Sequence, residues 1–205
     1  MSLDDRQLAM LREMGITAWT PRDPTEPVFE APVEPATAPS PEVSAPLPRG
    51  TRAAGVEQMD WPALREAVAG CRACGLCENR RNTVFGVGHE QAHWMVVGEA
   101  PGENEDRQGE PFVGQAGRLL DNMLRAIGLT REEAPPEQQV FICNVLKCRP
   151  PGNRNPEPQE VAQCEPFLKR QVALVKPRII LAMGRFAVQS LLRTTEPIGR
   201  LRGRV

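Results

Sequence analysis

WMVVGEAPGENEDRQGEPFVG, residues 94–114, decides the fold of this chain. Met95-Val96-Val97 is a short apolar run and reads as a buried strand, which Gly98 ends. Glu99-Ala100-Pro101-Gly102 then makes a turn from residues that punctuate backbone. Acids follow at Glu103, Glu105 and Asp106, and the stretch closes on Pro111-Phe112-Val113-Gly114, an aromatic flanked by turn formers. Carboxylates beyond the carboxyl end of a strand sit where open α/β sheets place their ligands.

The pattern repeats outward. A helix is expected over 116–127, with Leu119, Leu120, Met123, Leu124 and Ile127 in register and Gly128 as its stop. Strands follow at 140–146 (VFICNVL) and 178–183 (RIILAM), with helices over 159–175 and 184–192. Alternating strands and helices, with near-continuous apolar strands, predict an α/β fold: three layers, α/β/α, around a mainly parallel central sheet. Upstream, Asp60-Trp61-Pro62 starts a helix to about Gly70, because Asp60 can cap it and Pro62 falls in its first turn. Thr83–Gly88 is read as a short strand and turn.

The N-terminal third is different. Leu3, Leu8, Leu11 and Met14 have helical spacing, so residues 1–19 hold a short helix. Proline then recurs every two to five residues and apolar periodicity vanishes, which predicts a disordered linker over 20–58. Residues 59–205 form the folded domain. The last stretch, 199–205 (GRLRGRV), reads as the middle of an element, so the domain is expected to be C-terminally incomplete.

The net charge of -1 conceals an asymmetry. Residues 1–70 carry 6 basic and 11 acidic side chains (-5), and residues 71–205 carry 19 and 15 (+4). The second part tolerates a polyanion partner without demanding one. No apolar run approaches the ~18 residues of a membrane span, and no apolar leader opens the chain, so a cytoplasmic, membrane-free protein is expected. There, six cysteines are read as metal ligands or free thiols rather than disulfides. Cys71-x2-Cys74 follows a helix, and Cys148 and Cys164 lie further on. Together these can hold a tetrahedral zinc or an iron–sulfur cluster. Cys74-x2-Cys77 offers the same spacing, and Cys143 reads as a core thiol.

In order, Cys-x2-Cys, GEAPGENED after a strand, PFVG, and NVLKCRPPGNRNP followed by a helical Cys resemble the family 4 uracil-DNA glycosylases, the iron–sulfur members of their superfamily. The resemblance covers about residues 60–205. It implies an enzyme that flips uracil out of single- or double-stranded DNA and hydrolyses its N-glycosidic bond, starting base excision repair. It implies a 4Fe–4S cluster on Cys71, Cys74, Cys148 and Cys164, with Cys77 and Cys143 spare. It implies that Gly98, Glu99 and Ala100 wrap the base, that Phe112 stacks on it and that Asn144 reads its polar edge. Glu99, Glu105 and Asp106 are the catalytic candidates beside the sugar, Glu99 foremost. Other branches carry Asp where Ala100 stands, which leaves the water-orienting group open. Arg149 and Arg154 are expected on the DNA backbone.

The family also carries His-Pro-x-x-Leu-Leu downstream of the third strand. The histidines here are His89 and His93, both upstream, so these 205 residues alone are expected to turn over poorly. A monomer is expected, with a protein partner possible for the Pro-rich tail. The rival readings are a non-catalytic or abasic-DNA-capturing relative, or a DNA- or partner-binding module. The interval Arg149–Gln163 lacks the His and basic run of the capturing branch.

Overall fold

A computed structural model describes residues 52–203. The expected helix at 3–14 and the linker up to residue 51 lie outside the described residues. The linker's assigned end is too late: Val56 is buried in a short turn at Val56–Gln58, and Arg52 donates to the carbonyl of Gln163 at 3.3 Å. Ordered chain therefore begins before residue 59.

Helix α1 (Trp61–Ala69) starts where Asp60 accepts from the Ala63 N–H at 3.0 Å, with Pro62 in the first turn. Strand β1 (Val87–Gly88) follows, then β2 (Trp94–Gly98). The acidic stretch contains a two-turn helix that its composition did not announce, α2 (Glu103–Gln108). Helix α3 (Gln115–Ala126), strand β3 (Val140–Asn144), helix α4 (Pro158–Val175), strand β4 (Ile179–Ala182) and helix α5 (Arg185–Leu192) complete the alternation. A short helix, α6 (Ile198–Leu201), lies in the stretch that read as the middle of an element.

The sheet order is β1-β3-β2-β4. β2 runs parallel to β3 and to β4, and β1 is antiparallel to β3. Side chains alternate across the two central strands. Met95, Val97, Phe141 and Cys143 face a core shared with Leu64 and Val68 of α1 and Phe167 and Leu168 of α4. Val96, Val140 and Ile142 face Leu120 and Leu124 of α3. These are the three layers that the alternation predicts.

Two apolar stretches differ from expectation. Of the apolar side chains expected in register on α3, Leu120 and Leu124 are buried; Leu119, Met123 and Ile127 lie on its outer side, with Leu119 62% exposed. Ile179 and Leu181 of β4 are 45% and 43% exposed, because β4 is an edge strand of the described sheet. No described helix is long and apolar enough to cross a membrane.

Phe141 is fully buried on the central strand, and its ring lies 5.4 Å from that of Trp61. Phe141→Ala is expected to lower stability by about 3–5 kcal/mol, read from the midpoint of urea unfolding.

Candidate functional site

Gly98, the last residue of β2, pairs with Asn144, the last residue of β3. Pairing continues past both strand ends: the Val145 N–H donates to the Gly98 carbonyl at 2.9 Å and the Leu146 N–H to the Glu99 carbonyl at 3.1 Å. The loop leaving one strand is thus fastened to the segment leaving the other.

A Cβ placed on Gly98 would lie 2.4 Å from Asn144 Oδ1 and 2.5 Å from Phe112 Cζ. Only glycine fits, and the aromatic ring and the side-chain amide converge on it. Phe112 is held there from behind. Its φ is 54°, a left-handed value that costs a phenylalanine energy. A Cβ on Gly117 in α3 would lie 1.7 Å from the Phe112 carbonyl, so the helix seats directly on that peptide. Asn144 is buried and Phe112 partly so.

The acidic residues divide by geometry. Glu105 accepts from the N–H groups of Gly102 at 3.1 Å, Val113 at 3.0 Å and Gly114 at 3.3 Å. It clamps the two ends of the loop that presents Phe112. Asp106 is buried and accepts from the N–H groups of Arg81 and Asn82. Both carboxylates thus accept from backbone N–H groups, and Asp106 is only 3% exposed. Glu99 is half-buried at the Gly98 turn. Burial raises its pKa, and the nearby Arg185 at the start of α5 pulls it back down.

The two arginines assigned to DNA are also engaged within the protein. Arg154 forks onto Glu160, at 2.9 and 2.6 Å, a bidentate pair that fixes the start of α4. Arg149 bonds Asn153 at 2.7 Å and Glu103 at 3.3 Å, tying the loop after β3 to α2.

Cys71, Cys74, Cys77, Cys148 and Cys164 line one cavity with Arg80 and Lys147. Cys143 is a core thiol, as its place in the strand predicts. The cavity adjoins the loop: Ala100 packs on a cluster formed by Leu76, Leu146, Cys148 and Cys164. Burial pushes the Cys148 thiol up to about 11, against a hydrogen bond from Arg80, and Cys164 up to about 12. Cys74 is raised by burial as well. Such thiols ionise only beside positive charge. Arg80 Nη1 is 3.0 Å from Cys148 Sγ, and the ammonium of Lys147 is buried nearby. Among the described residues no three Cys, His, Asp or Glu side chains stand close enough for one metal ion.

Arg80, Lys147, Gln171 and Gly117 escaped the sequence reading. A lysine between an apolar strand and a cysteine reads as solvent-facing, and only the tertiary packing buries it.

The model of the uracil DNA glycosylase superfamily matches residues 85–204. The type-4 uracil-DNA glycosylase of Archaeoglobus fulgidus is 47% identical over 146 residues, which is 69% of this chain and 70% of that protein. The type-4 enzymes of Sulfurisphaera tokodaii and Saccharolobus solfataricus are 49% and 44% identical over 127 and 146 residues. These alignments cover 62% and 69% of this chain and 55% and 65% of theirs. The chain belongs to the uracil-DNA glycosylase superfamily, and within it to the type-4 family.

Glu105→Ala strands the three N–H groups it caps, and is expected to cost about 1–3 kcal/mol. The check is chemical denaturation alongside activity: a clamp loses both together, whereas a group acting on the sugar loses activity at unchanged stability.

Proposed function

We propose that this chain releases uracil from DNA by hydrolysing its N-glycosidic bond, as the names of its relatives describe for them. The observation that carries the reading is the convergence of Phe112 and Asn144 on Gly98 at the carboxyl ends of β2 and β3. A base inside a duplex must leave the stack before an enzyme can act on it. An extruded pyrimidine then lies flat against Phe112, which offers a ring face. The Asn144 amide carries a donor and an acceptor side by side. That pair matches the O4 and N3–H of uracil and mismatches cytosine, whose N4 donates where O4 accepts and whose N3 carries no hydrogen. Gly98, lacking a side chain, lets the edge of the base reach the backbone.

Hydrolysis breaks the C1′–N1 bond, and the bonding pair leaves with uracil as an anion. The sugar passes through an oxocarbenium-like state. Water then adds its oxygen to C1′, and its proton is released. Donors already aimed at the departing oxygens lower the barrier, because charge develops there and no reorganisation is needed. In this reading Asn144 and the N–H groups of the Gly98-Glu99-Ala100 turn supply them. Ala100 brings no carboxylate, so Glu99 is the acid left at the turn. In its ionised form it steadies the cationic sugar; burial raises its pKa, and Arg185 opposes that rise.

Cys71, Cys74, Cys148 and Cys164 would hold the 4Fe–4S cluster. Their shared cavity, with Arg80 at 3.0 Å from Cys148 Sγ and Lys147 beside the thiols, fits a net-negative thiolate-bound cluster. When bound, the cluster serves as a crosslink and supplies no electron to this hydrolysis. Cys77 lines the same cavity and is the reserve thiol. The substrate is DNA, and the cytoplasm is the compartment that suits free thiols.

Incubation with single-stranded DNA containing one uracil tests the activity. Free uracil and an alkali-labile site are the expected products; an SDS-stable adduct indicates capture instead, and intact DNA a binding role. Asn144→Ala is expected to lower kcat/KM by about 10²–10³-fold, the cost of losing one such donor. Anaerobically purified protein is expected to be brown, with four irons per chain in the family's pattern; colourless, iron-free protein overturns the cluster assignment.

A further inference from the structure

Lys147 is only 1% exposed. Its ammonium donates to the backbone carbonyl of Asn144 at 2.7 Å and to Oε1 of Gln171 at 2.6 Å. Both acceptors are neutral. Gln171, on α4, is buried too, and its Nε2 donates to the Phe85 carbonyl at 2.9 Å. That network fixes the glutamine amide in one orientation: an ammonium can only donate and a carbonyl can only accept. The titratable groups bearing on Lys147 are the thiols of Cys143, Cys148 and Cys164. Burying an ammonium is an expensive way to fill space, since methionine fills the same volume without desolvating a charge. The charge therefore calls for a task.

We propose that Lys147 is the positioning residue for Asn144, and that it sets how sharply the pocket reads uracil. The inference rests on the reading that Asn144 contacts the base. The Asn144 side chain reaches Gly98 and Phe112, while its carbonyl is gripped by the ammonium three residues on. The other end of that ammonium is anchored on α4, the helix that carries Cys164. Lys147 thus refers the base-reading amide to the same helix that bears a cysteine of the thiol cavity. A reading amide must hold its angle to within about 10–20° to discriminate. When the four thiolates carry a net-negative group, the ammonium also sits beside its counter-charge.

The test is a double-mutant cycle on the affinity for free uracil, with iron content and thermal midpoint read on every variant. Lys147→Met is expected to weaken uracil binding by ~10-fold, the cost of about one lost hydrogen bond, and to lower kcat/KM by at least as much. In the Asn144→Ala background, Lys147→Met should weaken uracil no further. Equal weakening in both backgrounds, or unchanged uracil affinity in the single Lys147 variant, overturns the proposal alone. Unchanged affinity in Asn144→Ala overturns the underlying reading, and this proposal with it. If Lys147→Met does not fold, Gln171→Met releases the far anchor while keeping the ammonium, and the same cycle decides on the same criteria.

Discussion

Two backbone hydrogen bonds beyond the ends of the central strands govern the rest of this molecule. Through them Val145 and Leu146 hold the carbonyls of Gly98 and Glu99. A parallel ladder normally stops where its strands splay toward their helices. Here it runs on, so the turn after β2 is as well defined as the sheet. The slot is therefore built on rigid backbone, and the groups that must be exact, Gly98 and Asn144, are paired residues of one register. Phe112, on the less regular segment, needs separate fastening, and Glu105 and Gly117 provide it.

The same short segment joins two chemically opposed environments. Asn144 ends an apolar strand at the slot, and Cys148 opens the thiol cavity. Between them Leu146 is core and Lys147 is a buried cation. Burial alone holds the thiols neutral, as the raised values of Cys148 and Cys164 express. Arg80 counters that tendency at Cys148 and Lys147 at Cys164. The cationic surroundings and the apolar packing of Leu76, Leu146 and Ala100 are thus parts of one arrangement. It lets thiolates exist out of water next to a pocket that must also be dry.

The layer order and the strand positions were legible in the sequence because each depends on local chemistry, whereas the roles of Gly98, Phe112 and Asn144 came only from the family resemblance. Alternating burial of Met95, Val96 and Val97 follows from strand geometry, and Asp60 and Pro62 announce α1 by capping. The carboxylates were harder. Glu105 and Asp106 read as site acids because a cluster beyond a strand invites ligands. Their actual partners, the peptides of residues 81–82 and 113–114, are set by tertiary packing that spacing does not reveal. The partner of Arg154 was hidden for the same reason: its acid, Glu160, lies on the next helix. Lys147 and Arg80 became visible only once the sheet and α4 had closed over them.

The direct peptide link between Asn144 and Cys148 has an evolutionary consequence. A one-residue insertion or deletion there would rotate the Asn144 amide to the other face of the sheet, or pull the thiol out of its cavity, and no compensating shift serves both. The interval from Arg149 to Pro156 is mostly exposed turn, anchored at separate points. Lineages descended from this fold can therefore vary in length after the cysteine but not before it. A constant count of residues across 144–148 becomes a mark by which sequences carrying both features can be told from those that have lost one.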